Sequence, residues 1–268
     1  MRKPLRTTLK ELAYNLGILP SHTDYVRFII LGRSRVGSNF LRSLLNSHEQ
    51  IRIFGEIFRN ADAIDWDMPD YQTTPAQLKL YQSDPVDFFE KQVFHRLPKS
   101  ISAVGFKIFY YHAPENTVFS KIWPHMLAQN SLRVIHLKRR NILQTHLSRK
   151  RAVLTDSWVN TDGKKEKSPP IRLDYDELLA DFEQTRQWEN EFDARFARHP
   201  LFNVAYEDLS ADPGSVINSL QAFLGVDPQP LSAQTHKQSS MPISAEVTNF
   251  LELKARFLGS PWQSFFEE

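Results

Sequence analysis

The residues with most chemistry to offer lie in one short segment, Gly32-Arg33-Ser34-Arg35-Val36-Gly37-Ser38-Asn39. Two glycines, small hydroxyl and amide side chains and two arginines suit it to an anion. Backbone N–H groups of such a turn, with the start of a following helix, present positive ends of peptide dipoles to a phosphate-like group. The plain alternative is an ordinary strand-to-helix turn. The G-x-x-x-x-G spacing is that of a Walker A loop, but Ser38 and Asn39 stand where Lys and Ser/Thr belong. No Asp ends the apolar run Leu132–Leu137 to hold Mg²⁺, so an ATPase or kinase reading lacks both metal and γ-phosphate handling. Arg35 supplies a cation from inside the loop instead.

The elements that must position this loop are readable on either side of it. Val26 to Leu31 is a short apolar run, the pattern of a strand covered on both faces. After Asn39, Phe40, Leu41, Leu44 and Leu45 fall on one face of an amphipathic helix ending near Asn46-Ser47-His48. Further strands are expected at Gln50–Phe54, Val104–Tyr110, Leu132–Leu137 and Phe202–Tyr206. Helices are expected at 85–94, from Asn141 through Val153, over Asp174–Arg198, after Asp212-Pro213 up to Gly225, and over Ser244–Leu258. The alternation of short apolar strands with helices predicts an α/β fold, a mainly parallel five-stranded sheet flanked by helices in three layers. Ligands bind such sheets at the carboxyl ends of the strands. That directs attention to Arg33–Asn39, Gly55-Glu56, Tyr110–His112, Lys138–Asn141 and Glu207-Asp208.

Among these, Glu56 and His112 are candidates for acid–base work, and His48 is a third. Glu56 also reads as an acid favoured at a helix N-terminus, and His48 as a partner of a helix C-terminus. Lys107, inside a strand, points either to a site role or to a snorkelling side chain. Arg33 and Arg139 read as further basic residues of the site or as ion-pair partners. Tyr206 reads as a stacking platform or as core.

Composition narrows the classes. The 268 residues, 41% hydrophobic, allow a substantial core, read here as a single domain over 1–268. Residues 60–100, rich in Asp, Pro and aromatics, read as an insertion or lid, and 155–170, with Gly163, lysines and prolines, as a mobile loop. Trp66, Tyr71, Tyr81, Phe88, Phe89 and Trp158 in these two segments suit a sugar or a small local core. Lys+Arg 33 against Asp+Glu 31 argues against nucleic-acid coating. The absence of cysteine excludes disulfides and thiolate chemistry and fits a reducing, cytoplasmic setting. No apolar run reaches a membrane span, and MRKPLRTTLKELAYNLGILP lacks a signal peptide's apolar core. Leu5, Leu9, Leu12 and Leu16 there suit a helix that packs on the domain or touches a membrane surface peripherally.

Three segments together resemble one family. Arg35-Val36-Gly37-Ser38-Asn39-Phe40-Leu41 is similar to the 5′-phosphosulfate loop of sulfotransferases. Arg140 and Ser148, eight residues apart in VIHLKRRNILQTHLS, resemble the pair that binds the donor's 3′-phosphate. Val204-Ala205-Tyr206-Glu207-Asp208-Leu209, then Asp212-Pro213 and Phe223-Leu224-Gly225-Val226, resemble the closing strand and helix. Gly55-Glu56 points further, to bacterial carbohydrate sulfotransferases of the nodulation-factor and glycolipid-modifying kind. The resemblance implies a P-loop-like fold, 3′-phosphoadenosine 5′-phosphosulfate (PAPS) as donor, no metal, and a carbohydrate or glycolipid hydroxyl as acceptor. It implies donor contacts from Arg35, Val36, Gly37, Ser38, Asn39, Phe40, Arg140 and Ser148, with Tyr206 and Lys237 as additional candidates. Catalytic roles fall to Arg35 and Glu56, with His112 as the rival base. A small-molecule kinase is the alternative enzyme, and a donor-binding module without turnover is the alternative class.

Overall fold

The computed structural model describes residues 13–14, 17–69, 71–156, 169–233 and 241–267. β1 (Ser21–His22) pairs antiparallel with β4 (Leu97–Pro98) in a small ribbon. The central sheet holds β2 (Val26–Gly32), β3 (Ile51–Phe54), β5 (Ala103–Phe109), β6 (Arg133–Lys138) and β7 (Leu201–Ala205), in the order β3-β5-β2-β6-β7. Every pairing in it is parallel. β2 lies in the middle, its Gly32 level with Phe109 of β5 and Leu137 of β6. From β2 the chain travels to one edge through β3 and β5, then crosses to β6 and β7 on the other side. That reversal opens a crevice at the carboxyl end of β2, the place where an α/β sheet takes its ligand.

Alternate residues of the strands feed two cores. Ile29, Leu31, Phe54, Phe106 and Ile108 face one side, Phe28, Ile30, Ile53, Ile135 and Leu137 the other. The first core is closed by Phe58, Trp66, Tyr81, Phe88, Phe89, Phe94, Phe192 and Phe196. The aromatics of 60–100 thus join the main core, Tyr81, Phe88 and Phe89 being fully buried. The second is closed by Leu41, Leu44 and Leu45 of the helix Ser38–Asn46 and by Ile217, Leu220 and Leu224 of the helix Pro213–Leu224. A third cluster joins the helices Ile142–Thr155 and Tyr175–Arg195 to the C-terminal segment through Leu143, Leu178, Phe182, Phe257 and Phe265.

The five strands fall where the sequence puts them, within a residue or so. The fifth stops at Ala205, because Tyr206 begins a short helix, Tyr206–Ala211. The helical patch at 85–94 is an α-turn, Pro85–Phe88, that widens into a π-turn, Phe89–Val93. The helix expected over 244–258 is broken into Ile243–Glu246 and Phe250–Arg256. Its backbone is diverted at the break: Ile171 N donates to Glu246 O (3.0 Å), Thr248 N donates to Ile171 O (2.9 Å), and Asn249 bonds both polar groups of Leu173. Helices at Pro75–Ser83 and Ile122–Leu127 lack a sequence expectation; the first is opened by a Thr74/Gln77 capping box. The amphipathic N-terminal pattern, apart from the stretch at 13–14, and nearly all of 155–170 lie outside the described residues.

Candidate active site

The loop after β2 turns into its helix through two left-handed residues, Arg35 (φ 70) and Gly37 (φ 93). A side chain at Gly37 would run into the ring of Tyr206, so the backbone can lie against that ring only if the residue is glycine. Gly37 is the N-cap of Ser38–Asn46, and among the described residues no side-chain bond caps that helix. The first N–H groups of the helix have no intrahelical acceptor and point out of its start. Val36 is buried in the second core, so it anchors the loop and leaves only its backbone for a ligand.

The two loop arginines go different ways. Arg33 turns back to the helix Tyr175–Arg195, where it bonds Asp181 and Thr185 and lies 5.2 Å from the centre of the Trp188 ring. It is an ion-pair partner. Arg35 stays at the site: its Nε donates to Ser148 Oγ at 2.9 Å. Arg139 donates to the Arg35 carbonyl (3.3 Å) and to Gln144 Oε1 (2.6 Å), and sits 4.6 Å over the Tyr206 ring. Burial, followed by the neighbouring Arg139 and Arg149, lowers the Arg35 guanidinium to about 10. Burial likewise lowers Arg139 and Arg149. Among the described residues, Arg139 Nε and Arg149 Nη1 are buried without a hydrogen-bond partner. Three crowded guanidiniums, with a buried N–H to spare on Arg139 and on Arg149, are a site for an anion.

Arg140 and Ser148 therefore have different surroundings. Ser148 faces Arg35, whereas Arg140 is 61% exposed and forks onto Asp208 at 2.7 and 2.5 Å. Beside it Glu207 accepts the N–H groups of Arg140 (3.1 Å) and Asn141 (3.4 Å), fastening the end of β6 to the start of the helix after β7. Tyr206 packs between Gly37 and Arg139. Lys237 lies outside the described residues.

On the β3 side, Gly55 approaches the backbone of Asp65 so closely that a Cβ would lie 2.6 Å from its carbonyl oxygen. Gly55 N donates to Trp66 O (2.9 Å) and Glu56 N to Asp65 Oδ2 (3.3 Å), which fixes the turn that carries Glu56. The Glu56 carboxylate lies 3.4 Å from Lys107 Nζ, 3.6 Å from Arg59 Nη1 and 3.9 Å from His112 Nε2. Lys107 also donates to Asn39 of the loop helix. His112 Nδ1 accepts Phe109 N–H at 3.2 Å, so the neutral ring carries its proton on Nε2, toward Glu56. Burial, then Arg59 and Lys107, push His112 down to about 3 and keep it neutral. His48 is committed elsewhere: it accepts Gln50 N–H on Nδ1 and donates from Nε2 to Asp227 O at 2.8 Å. Nearby, burial and then Lys138 keep His136 neutral, and its bonds to the Tyr110 hydroxyl (2.6 Å) and Asp193 (2.8 Å) lock the carboxyl ends of β5 and β6 together.

The structure thus gathers Arg35, Ser148, Asn39, Lys107, Glu56 and His112 at the carboxyl ends of β2, β3 and β5. Arg149 and Arg59 belong there too and have no counterpart in the sequence reading. Arg149 follows Ser148 directly and shares a helix face with His146, a spacing that marks it only once the helix is known to border the loop. Among the described residues no group of acidic, His or Cys side chains is arranged to hold a metal, and no helix is long and apolar enough to cross a membrane.

The family model "Sulfotransferase family" matches residues 27–230. Nodulation protein H of Rhizobium tropici is 27% identical over 244 residues, covering 90% of this chain and 92% of that one. Nodulation protein H of Rhizobium meliloti (strain 1021) is 27% identical over 247 residues, covering 90% and 94%. A sulfotransferase crystal structure from Alicyclobacillus acidocaldarius is 18% identical with a TM-score of 0.47, over 86% of this chain and 90% of that one. With its loop, sheet and closing helix all inside the matched span, the chain belongs to the sulfotransferase family and is an enzyme of sulfuryl transfer, related to the nodulation-type proteins.

Proposed function

We propose that the enzyme transfers a sulfuryl group from PAPS to a hydroxyl of a carbohydrate or glycolipid, with Glu56 as general base. The observation that carries the reading is the meeting of a crowded cationic loop and a carboxylate at neighbouring strand ends. Arg35, Arg139 and Arg149, with unpaired buried N–H groups on the last two, fit the negative charge of such a donor. The start of Ser38–Asn46 fits its phosphosulfate end through the backbone of Gly37, Ser38, Asn39 and Phe40. Ser148 and Arg140 border the same crevice, from the helix Ile142–Thr155 and the turn before it. The bound donor supplies a sulfuryl group already joined to a phosphate leaving group.

A sugar hydroxyl is a poor nucleophile at neutral pH, and an ionised carboxylate at hydrogen-bond reach raises its reactivity. Glu56 is suited to this and His112 is not: the basic nitrogen of His112 is taken by Phe109 N–H, and its other nitrogen already carries a proton. His112 can therefore donate toward Glu56 but has no lone pair to offer an acceptor. Arg35 supplies positive charge where negative charge grows on the leaving oxygen. The carbohydrate class rests on the likeness of Gly55-Glu56 and its surroundings to glycan-modifying relatives. The small-molecule kinase reading gives way to the family match.

The test is sulfate transfer from isotopically labelled PAPS to a panel of sugars and glycolipids, without added metal. Product is expected from at least one acceptor, and Arg35→Ala should cut its rate on the order of a hundredfold or more. Calorimetry should show adenosine 3′,5′-bisphosphate binding to the parent. Bisphosphate binding with no product from any acceptor would point to a module without turnover.

A further inference from the structure

Lys107 lies on the central sheet, 2% exposed, in a strand otherwise made of Ala, Val, Gly, Phe and Ile. An ammonium in such a place is costly unless its charge and its hydrogen bonds are met. Its two partners come from opposite sides of the crevice. Asn39 is the second residue of the helix that follows the anion loop, and Glu56 is the second residue beyond β3. From this juxtaposition we infer that Lys107 is a positioning residue that couples the donor loop to the base. By holding Asn39 Oδ1 and Glu56 Oε1 together it sets where the carboxylate stands relative to the loop. The inference rests on the reading of Glu56 as base.

The other charges around the pair do not replace it. Arg42 is tied to Asp67 at 2.5 Å, and Asp65 takes the Glu56 N–H. His112 is neutral, and the Arg59 side chain is 61% exposed and screened by solvent. Burial makes Lys107 readier to lose its proton, and Glu56 is first among the influences that oppose this. With Oε1 on Lys107, Oε2 has, among the described residues, the longer approaches of Arg59 and His112, at 3.6 and 3.9 Å. It is the oxygen available to the acceptor. In the transfer the hydroxyl proton passes to Oε2, the acceptor oxygen bonds to sulfur, and the bond from sulfur to the phosphate oxygen breaks with its electron pair leaving on phosphate. Lys107 neither gains nor loses a proton.

Lys107→Met keeps the length of the side chain and removes the charge. Its kcat and KM for sulfate transfer are measured beside the parent, Lys107→Arg and Glu56→Gln, with adenosine 3′,5′-bisphosphate affinity measured on each. The expected result is a fall in kcat on the order of a hundredfold. Lys107→Arg, which keeps a donor for both partners, should recover part of that loss. Bisphosphate affinity should stay at the parent's. A parental kcat in Lys107→Met, or a loss found entirely in bisphosphate affinity, overturns the inference. If Lys107→Met does not fold, Asn39→Ala reads the same coupling: kcat should fall, and an unchanged kcat is the contrary result. Full activity in Glu56→Gln defeats the base reading itself, whereas an inactive Glu56→Gln beside a parental Lys107→Met defeats only the role of Lys107.

Discussion

Asp181 and Glu56 each stand among three basic side chains, two of them Arg or Lys and one His. Both carboxylates are nearly buried, at 10% and 15% side-chain exposure. Asp181 is saturated: Arg33 holds one oxygen, while Arg149 and His146 (3.0 Å) hold the other. Burial works against its charge, but His146, Arg149 and Arg33 outweigh that and hold it down at about 2. The contacts of Glu56 are longer, 3.4 to 3.9 Å, and two of its three neighbours meet the same oxygen. A saturated carboxylate ties elements together, and one with slack still has a lone pair to offer. Asp181 joins the loop, through Arg33, to two helices, and so keeps one loop arginine out of the site while Arg35 stays in it.

Glu56→Gln should lower kcat by roughly 10²–10⁴ while leaving the unfolding midpoint near the parent's. Asp181→Asn should do the reverse in kind. It leaves Arg33 and Arg149 as buried cations without a counter-charge, at a cost of about 3–5 kcal/mol in denaturant unfolding. Equal effects of the two substitutions on stability would show that the slack around Glu56 means nothing.

Acid sharpens the same contrast. The folded-state value of Asp181 lies below its ordinary 3.8, so its stabilisation is present above 3.8 and is lost as pH falls toward about 2. Between those limits the parent should lose about 2 kcal/mol of stability through this group. Asp181→Asn should show a flatter acid slope over the same window, measured by denaturant midpoints at each pH. An unchanged slope would mean that another carboxylate carries the linkage.

How much of this was legible in the sequence follows from how far apart the partners are. The loop, the strands and the Ser38–Asn46 helix are written locally, in glycines and in apolar periodicity. Arg33 and Arg35 look alike in the chain because what separates them is distant: Asp181 lies 148 residues beyond Arg33, and Ser148 lies 113 beyond Arg35. The same distance hid Arg149 and the Asn39–Lys107–Glu56 bridge, although a lysine inside an apolar strand was a visible anomaly. His112 was visible as a residue, but the Phe109 N–H that occupies its basic nitrogen is a feature of the turn's shape. The break after Glu246 depends on Ile171, some seventy-five residues earlier, and no local pattern announces it.

Asp208 extends the comparison to the opposite limit. It is half exposed, and among the described residues the side chain bonded to it is Arg140, itself 61% exposed. Exposed pairs of this kind add little to stability, because water solvates both charges and the two long side chains lose freedom on pairing. Arg140→Ala should therefore leave the unfolding midpoint where it is. If Arg140 instead turns to a donor phosphate, as its spacing from Ser148 implies, adenosine 3′,5′-bisphosphate affinity should fall by roughly tenfold or more, with a weaker dependence on salt. Asp208→Asn then separates the two roles: freeing the guanidinium from its carboxylate should strengthen bisphosphate binding slightly, since no ion pair has to open first. Arg140→Ala with parental affinity would assign Arg140 to Asp208 alone and leave the anion to Arg35, Arg139 and Arg149.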